Sequence, residues 1–445
     1  MAELEPLYTT EEMKAAEAGH DVAELMARAG RAVAEEALLA YPGARRFVGV
    51  CGGGANGGDG RIALEVLRAQ GREAEESTEV EGADVILDAL FGTGFHGEPR
   101  SDAAAAIERI NAAPAPVVAV DLPSGVDAST GEIAAAAVRA ERTVTFHGPK
   151  VGLAVAPGRF HTGTIAVADI GLEPRETELQ LVTAEVLRRV PRRSPQDTKY
   201  TSGSVLVVGG SPGLTGAASL AAEAAFRADA GYVAVAAPEQ SLPVLETRLL
   251  EVVKRPFGEV DEALAKASAV ALGPGLGRAP EARELVSRIL SESDLPAVVD
   301  ADALFELEPF ARAAPTVLTP HSGELGRLLG EDSSWVDAHR LAAARRAAER
   351  FGAVCVLKGA DTIVAAPDAS PLVCSLGTSG LATAGSGDVL TGIVGAFLAK
   401  GLEARIAAAA AVAAQQVAST LVPNQAGMVA SDVIAALPRA LDAAV

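Results

Sequence analysis

The chain has 445 residues, of which 49% are hydrophobic and 22% charged; this excludes disorder as its main state and is too long for one continuous core, so two domains are expected. A formal net charge of −20 excludes a nucleic-acid or anionic-membrane surface, because both need clustered positive charge. Any anionic ligand has to be held locally, by backbone amides and a few lysines.

The first residues, MAELEPLYTTEEMKAAE, are acidic and lack a basic segment followed by an apolar one, so no signal peptide is expected. No apolar run approaches the roughly 20 residues of a membrane span. Cys51, Cys355 and Cys374 are too few and too scattered for a disulfide framework or metal cluster. A cytoplasmic enzyme acting on small molecules is the expectation.

Short β-branched runs recur at 46–51, 85–90, 116–121, 204–208, 298–300 and 354–357, each leading into a glycine-rich turn and then an alanine-rich segment of helical period. That alternation predicts βαβ units on a mostly parallel sheet, twice over: an α/β chain. The joint is expected at 188–196 (RRVPRRSPQ), giving domains 1–190 and 197–445.

In the first half, residues 48–60 (VGVCGGGANGGDG) begin as a strand and run into glycines before the amphipathic 62–69. Glycines at a strand-to-helix turn let a ligand approach the backbone, and the following helix start offers free amides to a phosphate. A dinucleotide site is one reading; a tight turn without a ligand is the other. Asn56 and Asp59 favour the first, since a merely structural turn needs neither. Asp88 ends the next strand ahead of Phe91-Gly92-Thr93-Gly94-Phe95-His96-Gly97, and Asp121 ends another ahead of Leu122-Pro123-Ser124-Gly125. Because ligands of open α/β sheets bind beyond the carboxyl ends of the strands, these residues can converge on one crevice.

The runs NGGDG (56–60), DALFGTGFHG (88–97), DLPSGVDASTG (121–131) and FHGPKVGL around Lys150 resemble the NAD(P)H-hydrate epimerase domain, also called the YjeF N-terminal domain, over about residues 8–175. The resemblance implies a Rossmann-like three-layer domain acting on a hydrated reduced nicotinamide dinucleotide. It further implies Asp121 as the acid/base, with Asn56, Asp88 and Ser124 holding a potassium ion. Substrate contacts would come from Asn56, Gly57, Gly58, Asp59 and Gly60, and from Gly92, Thr93, Gly94, Phe95, His96 and Gly97. Ala55 departs from the family, which commonly has a second Asn there.

In the second half, strand ends lead into GGSPG (209–213), Gly273-Pro274-Gly275-Leu276-Gly277, Asp300-Ala301-Asp302 and Thr319-Pro320-His321-Ser322-Gly323-Glu324. The strongest element is residues 381–392 (LATAGSGDVLTG) running into an apolar helix. Gly385 and Gly387 expose amides at the helix start, where they and the macrodipole can stabilise a phosphoryl group in transfer. Asp388, in the first turn, is placed to take a proton from a hydroxyl nucleophile. An acidic helix cap is the competing reading. Lys358-Gly359-Ala360-Asp361-Thr362 supplies a flexible cation beside small residues.

KYTSG, GPGLG, TPHSGEL, KGADT and GLATAGSGDVLTG, in that order across about residues 195–440, resemble the ADP- or ATP-dependent NAD(P)H-hydrate dehydratase, a ribokinase-like α/β domain. The resemblance implies that the nucleotide phosphorylates the substrate hydroxyl and that phosphate then leaves. Asp388 would be the base. Lys358, Gly359, Ala360, Asp361 and Thr362, with Gly385, Ser386 and Gly387, would bind the nucleotide, and Gly275, His321, Ser322, Gly323 and Glu324 would line the hydrate pocket. Mg2+ would accompany the nucleotide, and a homo-oligomer is expected. Thr198 and the SLGTS run at 375–379 depart from the family pattern at nucleotide contacts. The alternative is a ribokinase-like small-molecule kinase fused to a dinucleotide-binding module.

Overall fold

A computed structural model describes residues 2–443. Residues 6–180 form one compact unit, and residues 2–5 with 181–443 form the other. The division falls ahead of the expected joint at 188–196, because the turn Ala184–Arg189 buries Val186 and Leu187 in the core of the larger unit.

The smaller unit is built on a six-stranded parallel sheet ordered Glu73–Glu76, Arg46–Cys51, Val85–Ala89, Val117–Val120, Arg142–Phe146, Thr164–Ala168. Its central strands are continuous apolar runs because both faces are covered. Helices Val22–Ala40 and Ala55–Ala69 pack Val33, Ala37, Leu64 and Leu67 on Phe47, Leu87 and Val118, while Ile107 and Ile110 of Ser101–Ala112 meet Val48, Ile86 and Val117 on the other face. Strand order reverses between Arg46–Cys51 and Val85–Ala89, which opens a crevice beyond their carboxyl ends.

The NGGDG run is not a turn: helix Ala55–Ala69 begins before it and carries Asn56 and Asp59 in its first turns. Glycine is required there for packing, since a Cβ on Gly57 would lie 1.9 Å from the carbonyl of Gly52 and one on Gly60 would lie 2.5 Å from the Ala89 side chain. The glycines bring the helix start down onto the strand ends, and the two polar side chains come with it.

The larger unit carries an 11-stranded sheet. Its parallel part is ordered Val354–Leu357, Thr316–Leu318, Ala297–Val299, Ala269–Leu272, Ser204–Val208, Tyr232–Ala237, Val253–Pro256. Antiparallel Thr362–Ala366 and Ala369–Cys374 extend it, and Leu179–Val182 and Leu4–Leu7 complete that edge. Thr215–Arg227, Ser386–Ala399, Ala404–Thr420 and Ala430–Asp442 cover one face, and Pro280–Glu292 lies on the other. Alanine and glycine permit very close helix packing: a Cβ on Gly392 would lie 2.1 Å from the carbonyl of Ala221. Order reverses between Ser204–Val208 and Ala269–Leu272, where the amides of Gly210 and Ser211 donate to the carbonyls of Pro274 and Gly275. Among the described residues, no helix is long and apolar enough to cross a membrane.

Candidate active sites

In the smaller unit the crevice is organised by Asp121, directly after strand Val117–Val120 and in the left-handed region at φ 68°. Asp and Asn tolerate that conformation better than other non-glycine residues. Its carboxylate lies 2.6 Å from the ammonium of Lys150, which is fully buried. Lys150 also donates to the Thr145 hydroxyl (2.9 Å) and the Phe146 carbonyl (2.8 Å), and Thr145 donates to Asp121 (3.1 Å). The Tyr8 backbone clamps the lysine loop from both sides, donating to Pro149 and accepting from Val151. The sequence motif around Lys150 gives this residue no role of its own. A single lysine after Gly-Pro looks like a surface residue, and its burial is a tertiary event.

Asn56, Asp88 and Ser124 converge around Phe91. The Asn56 amide donates to the Phe91 carbonyl (2.8 Å), the Phe91 amide donates to the Ser124 hydroxyl (2.9 Å), and that hydroxyl donates to Asp88 (2.6 Å). The Ser124 amide reaches the other Asp88 oxygen at 2.8 Å. Asp88 is fully buried with neutral donors around it, and burial pushes its pKa up to about 6 despite those hydrogen bonds. A site with a buried carboxylate, a hydroxyl and an amide oxygen, and with no compensating cation among the described residues, has the oxygen donors a hard cation takes. In the run that follows, Phe91 and Phe95 stack at 4.5 Å, the Thr93 carbonyl accepts from the Thr10 hydroxyl, and His96 pairs with Asp127 at 2.9 Å. His96 is therefore engaged at the rim.

Asp59 is the other unusual carboxyl group. It is 8% exposed, and its Oδ1 has no hydrogen-bond partner among the described residues. Burial first, then the charges of Asp121 and Glu17, push its pKa up to about 8, with Lys150 pulling the other way. At neutral pH it is mostly protonated. The folded state thus holds a proton that the unfolded chain releases near pH 4, so Asp59 makes stability fall as pH rises from about 4 to 8. Asp59→Asn is expected to remove that slope, worth up to ~1.4 kcal/mol per pH unit. Urea unfolding at pH 5, 6 and 7 checks it, and parallel curves for wild type and variant would contradict the shift.

In the larger unit, Asp388 is the third residue of helix Ser386–Ala399, whose cap Gly385 sits at φ 87°. Two strand ends bring Asp300 and Lys358 around it, and the first turn of helix Ser322–Leu329 brings Glu324. The Lys358 ammonium is 2.8 Å from Asp300 and 3.7 Å from Glu324. A Cβ on Gly387 would stand 3.3 Å from that ammonium, which places the lysine against the helix start. Burial first, then Asp300, push the Asp388 pKa up to about 7; Lys358 opposes this, and Asp302 and Glu324 add to it. A carboxylate poised near neutrality beside helix amides and a lysine can accept a hydroxyl proton while the developing phosphate charge is held.

Several residues read from the sequence have structural duties as well. His321 caps helix Ser322–Leu329: its Nδ1 accepts from the amides of Gly323 (3.0 Å) and Glu324 (3.3 Å), while the Glu324 carboxylate returns to the His321 amide (2.9 Å). Asp361 is buried against Arg340 at 2.9 Å, and the Thr362 hydroxyl donates to the Gly359 carbonyl (2.9 Å), so these two shape the turn that presents Lys358. Gly275, at φ 60°, would collide with the Leu214 carbonyl if it carried a Cβ.

A model of the NAD(P)H-hydrate dehydratase family matches residues 205–439, and one of the YjeF-related protein N-terminus matches residues 63–152. The chain is 37% identical to the bifunctional NAD(P)H-hydrate repair enzyme Nnr of Moorella thermoacetica, over 94% of this chain and 92% of that one. It is 36% identical to the protein of the same description from Escherichia coli, over 94% and 89%. Among solved structures, the ADP/ATP-dependent NAD(P)H-hydrate dehydratase of Bacillus subtilis, co-crystallised with ATP/Mg2+, superposes with a TM-score of 0.55 at 29% identity, over 59% of this chain and 98% of that one. A ribokinase-like superfamily protein of Enterococcus faecalis shares the fold, with a TM-score of 0.54 at 24% identity over 61% and 99%. Two family models in tandem and relatives matched over nearly their whole length agree: the chain belongs to the family of bifunctional NAD(P)H-hydrate repair enzymes.

Proposed function

We propose that this protein repairs hydrated NADH and NADPH, with the smaller unit interconverting the R and S hydrates and the larger unit dehydrating the S form at the expense of ADP or ATP. The observation that carries the reading is the Asp388 centre: a carboxylate raised to about 7 at a helix start, with Lys358 against the same turn. Asp388 takes the proton of the substrate hydroxyl as its oxygen attacks the terminal phosphorus, and the shortened nucleotide departs. The carbon–oxygen bond then breaks, phosphate leaves with the electron pair, and the neighbouring ring carbon loses a proton to restore the double bond. Gly385, Ser386 and Gly387 cradle the phosphates with Lys358, whose turn is shaped by Gly359, Ala360, Asp361 and Thr362; Gly275 and the His321–Glu324 corner line the hydrate pocket. Mg2+ would travel on the nucleotide phosphates, as its preference for few protein ligands suggests; among the described residues, no cluster of His, Cys, Asp or Glu forms a cage for it.

In the smaller unit, hydroxide leaves the carbon bonded to the ring nitrogen, whose lone pair forms the iminium, and water returning on the opposite face inverts the centre. The Asp121–Lys150 pair gives the proton to the departing hydroxide and takes it back from the incoming water. Asn56, Asp88 and Ser124 would hold a potassium ion, which supplies fixed positive charge to substrate oxygens. The helix start at 56–60 and the loop at 92–97 enclose the substrate. We place the enzyme in the cytoplasm as a homo-oligomer, with no nucleic-acid or membrane partner.

The test follows near-ultraviolet absorbance of hydrated NADH. Absorbance is expected to recover with ADP or ATP, and from the R hydrate as well as the S. No recovery with either nucleotide sinks the dehydratase reading, and accumulation of a stable phosphorylated product would identify a small-molecule kinase instead.

A further inference from the structure

Asp300 ends strand Ala297–Val299 and is 1% exposed. One oxygen accepts from the Lys358 ammonium at 2.8 Å, and the other accepts from the Thr391 hydroxyl at 2.7 Å. Thr391 lies four residues after Gly387 on the helix that carries Asp388, and a Cβ on Gly387 would stand 3.6 Å from Asp300. Three separate elements therefore meet on one buried carboxylate: its own strand end, the turn after Val354–Leu357, and helix Ser386–Ala399. We infer that Asp300 is the positioning residue of this centre, tying Lys358 to the helix start and keeping the ammonium from collapsing onto Asp388.

The chemistry follows from how one cation is shared between anions. Lys358 faces Asp300, Glu324 and Asp388, while Asp388 faces Asp300, Asp302, Glu324 and Lys358. With Asp300 in place, Lys358 is neutralised from the strand side and stays available to an incoming phosphate. Without it, the ammonium is free to pair with Asp388. That pairing, together with loss of a neighbouring negative charge, stabilises the ionised Asp388 and makes it a weaker base. Asp300 thus touches no reacting atom yet governs the one that takes the proton.

This inference rests on the dehydratase reading, so the experiment records nucleotide consumption and absorbance recovery together on the full-length protein. Asp300→Asn is expected to lower turnover by ~10-fold or more and to move the acid limb of the kcat profile by about one unit to lower pH, the scale on which one close charge acts. Thr391→Val keeps every charge, and should lower turnover a few-fold with the limb unmoved. Thermal unfolding of the same preparations, followed by circular dichroism for both units' transitions, is the control for folding. Wild-type turnover in Asp300→Asn overturns the inference, as does lost turnover with an unmoved limb. A wild-type protein that consumes nucleotide without restoring absorbance sinks the dehydratase reading instead, and the pH limb of nucleotide consumption still decides the role of Asp300.

Discussion

Asp388→Asn is expected to lower dehydratase turnover by ~10²–10⁴-fold, the usual contribution of a positioned general base, while leaving epimerisation unchanged. The substitution keeps the size of the side chain at the third position of helix Ser386–Ala399, so helix geometry and the phosphate-facing amides survive. What it removes is the proton acceptor. Because burial and Asp300 raise the Asp388 pKa to about 7, the wild-type kcat should climb with pH through that region, where the carboxyl group becomes ionised. The variant's residual rate should lack that limb. Steady-state assays from pH 5.5 to 8.5 measure both. A variant retaining a tenth or more of wild-type turnover, or the same limb, would remove Asp388 from its role and leave it as a helix cap.

Lys150→Met should damage both the stability and the activity of the smaller unit. Lys150 is fully buried and bonded to Asp121, Thr145 and Phe146. Removing one member of a buried ion pair leaves the other charge uncompensated, at a cost of about 3–5 kcal/mol. Asp121→Asn should destabilise for the same reason, since the ammonium is then left without its counter-charge. The double substitution removes both charges and is expected to recover most of the stability. Epimerase activity should stay lost in all three, by ~10²-fold or more for removal of a proton-transfer group. Thermal and urea unfolding, read beside the epimerisation rate, separate the two effects. If the double variant is no more stable than the single ones, the buried-pair account fails.

Much of this was legible in the sequence, for identifiable reasons. Strands such as Arg46–Cys51, Ser204–Val208 and Val354–Leu357 were readable from their bounds because they are buried on both faces and therefore run as short apolar blocks. The glycine turn before Asp388 was readable because the left-handed backbone at Gly385, φ 87°, favours glycine. The start of helix Ala55–Ala69 was misread because three glycines look like a loop, whereas neighbouring carbonyls and side chains demand them inside a helix. Asp300 was seen only as an acidic strand end, since its partners lie 58 and 91 residues further along. The sequence places His321 in the hydrate pocket and Asp361 among the nucleotide contacts, but the cap made by one and the ion pair made by the other appear only when the turns around them are built.

Asp121 combines two demands on one residue: a charge facing Lys150 and a backbone in the left-handed region. These demands can be separated by asking what a population of variants tolerates. A library randomised at this position and sorted for folded protein alone should enrich aspartate first, then glycine and asparagine, which are least penalised at positive φ and lose only the counter-charge of Lys150. Sorted for epimerisation, the same library should return aspartate alone. Members lost between the two sorts measure what chemistry demands, and members lost in the first measure what the turn demands. An alanine at this site confounds the two, so asparagine is the informative replacement.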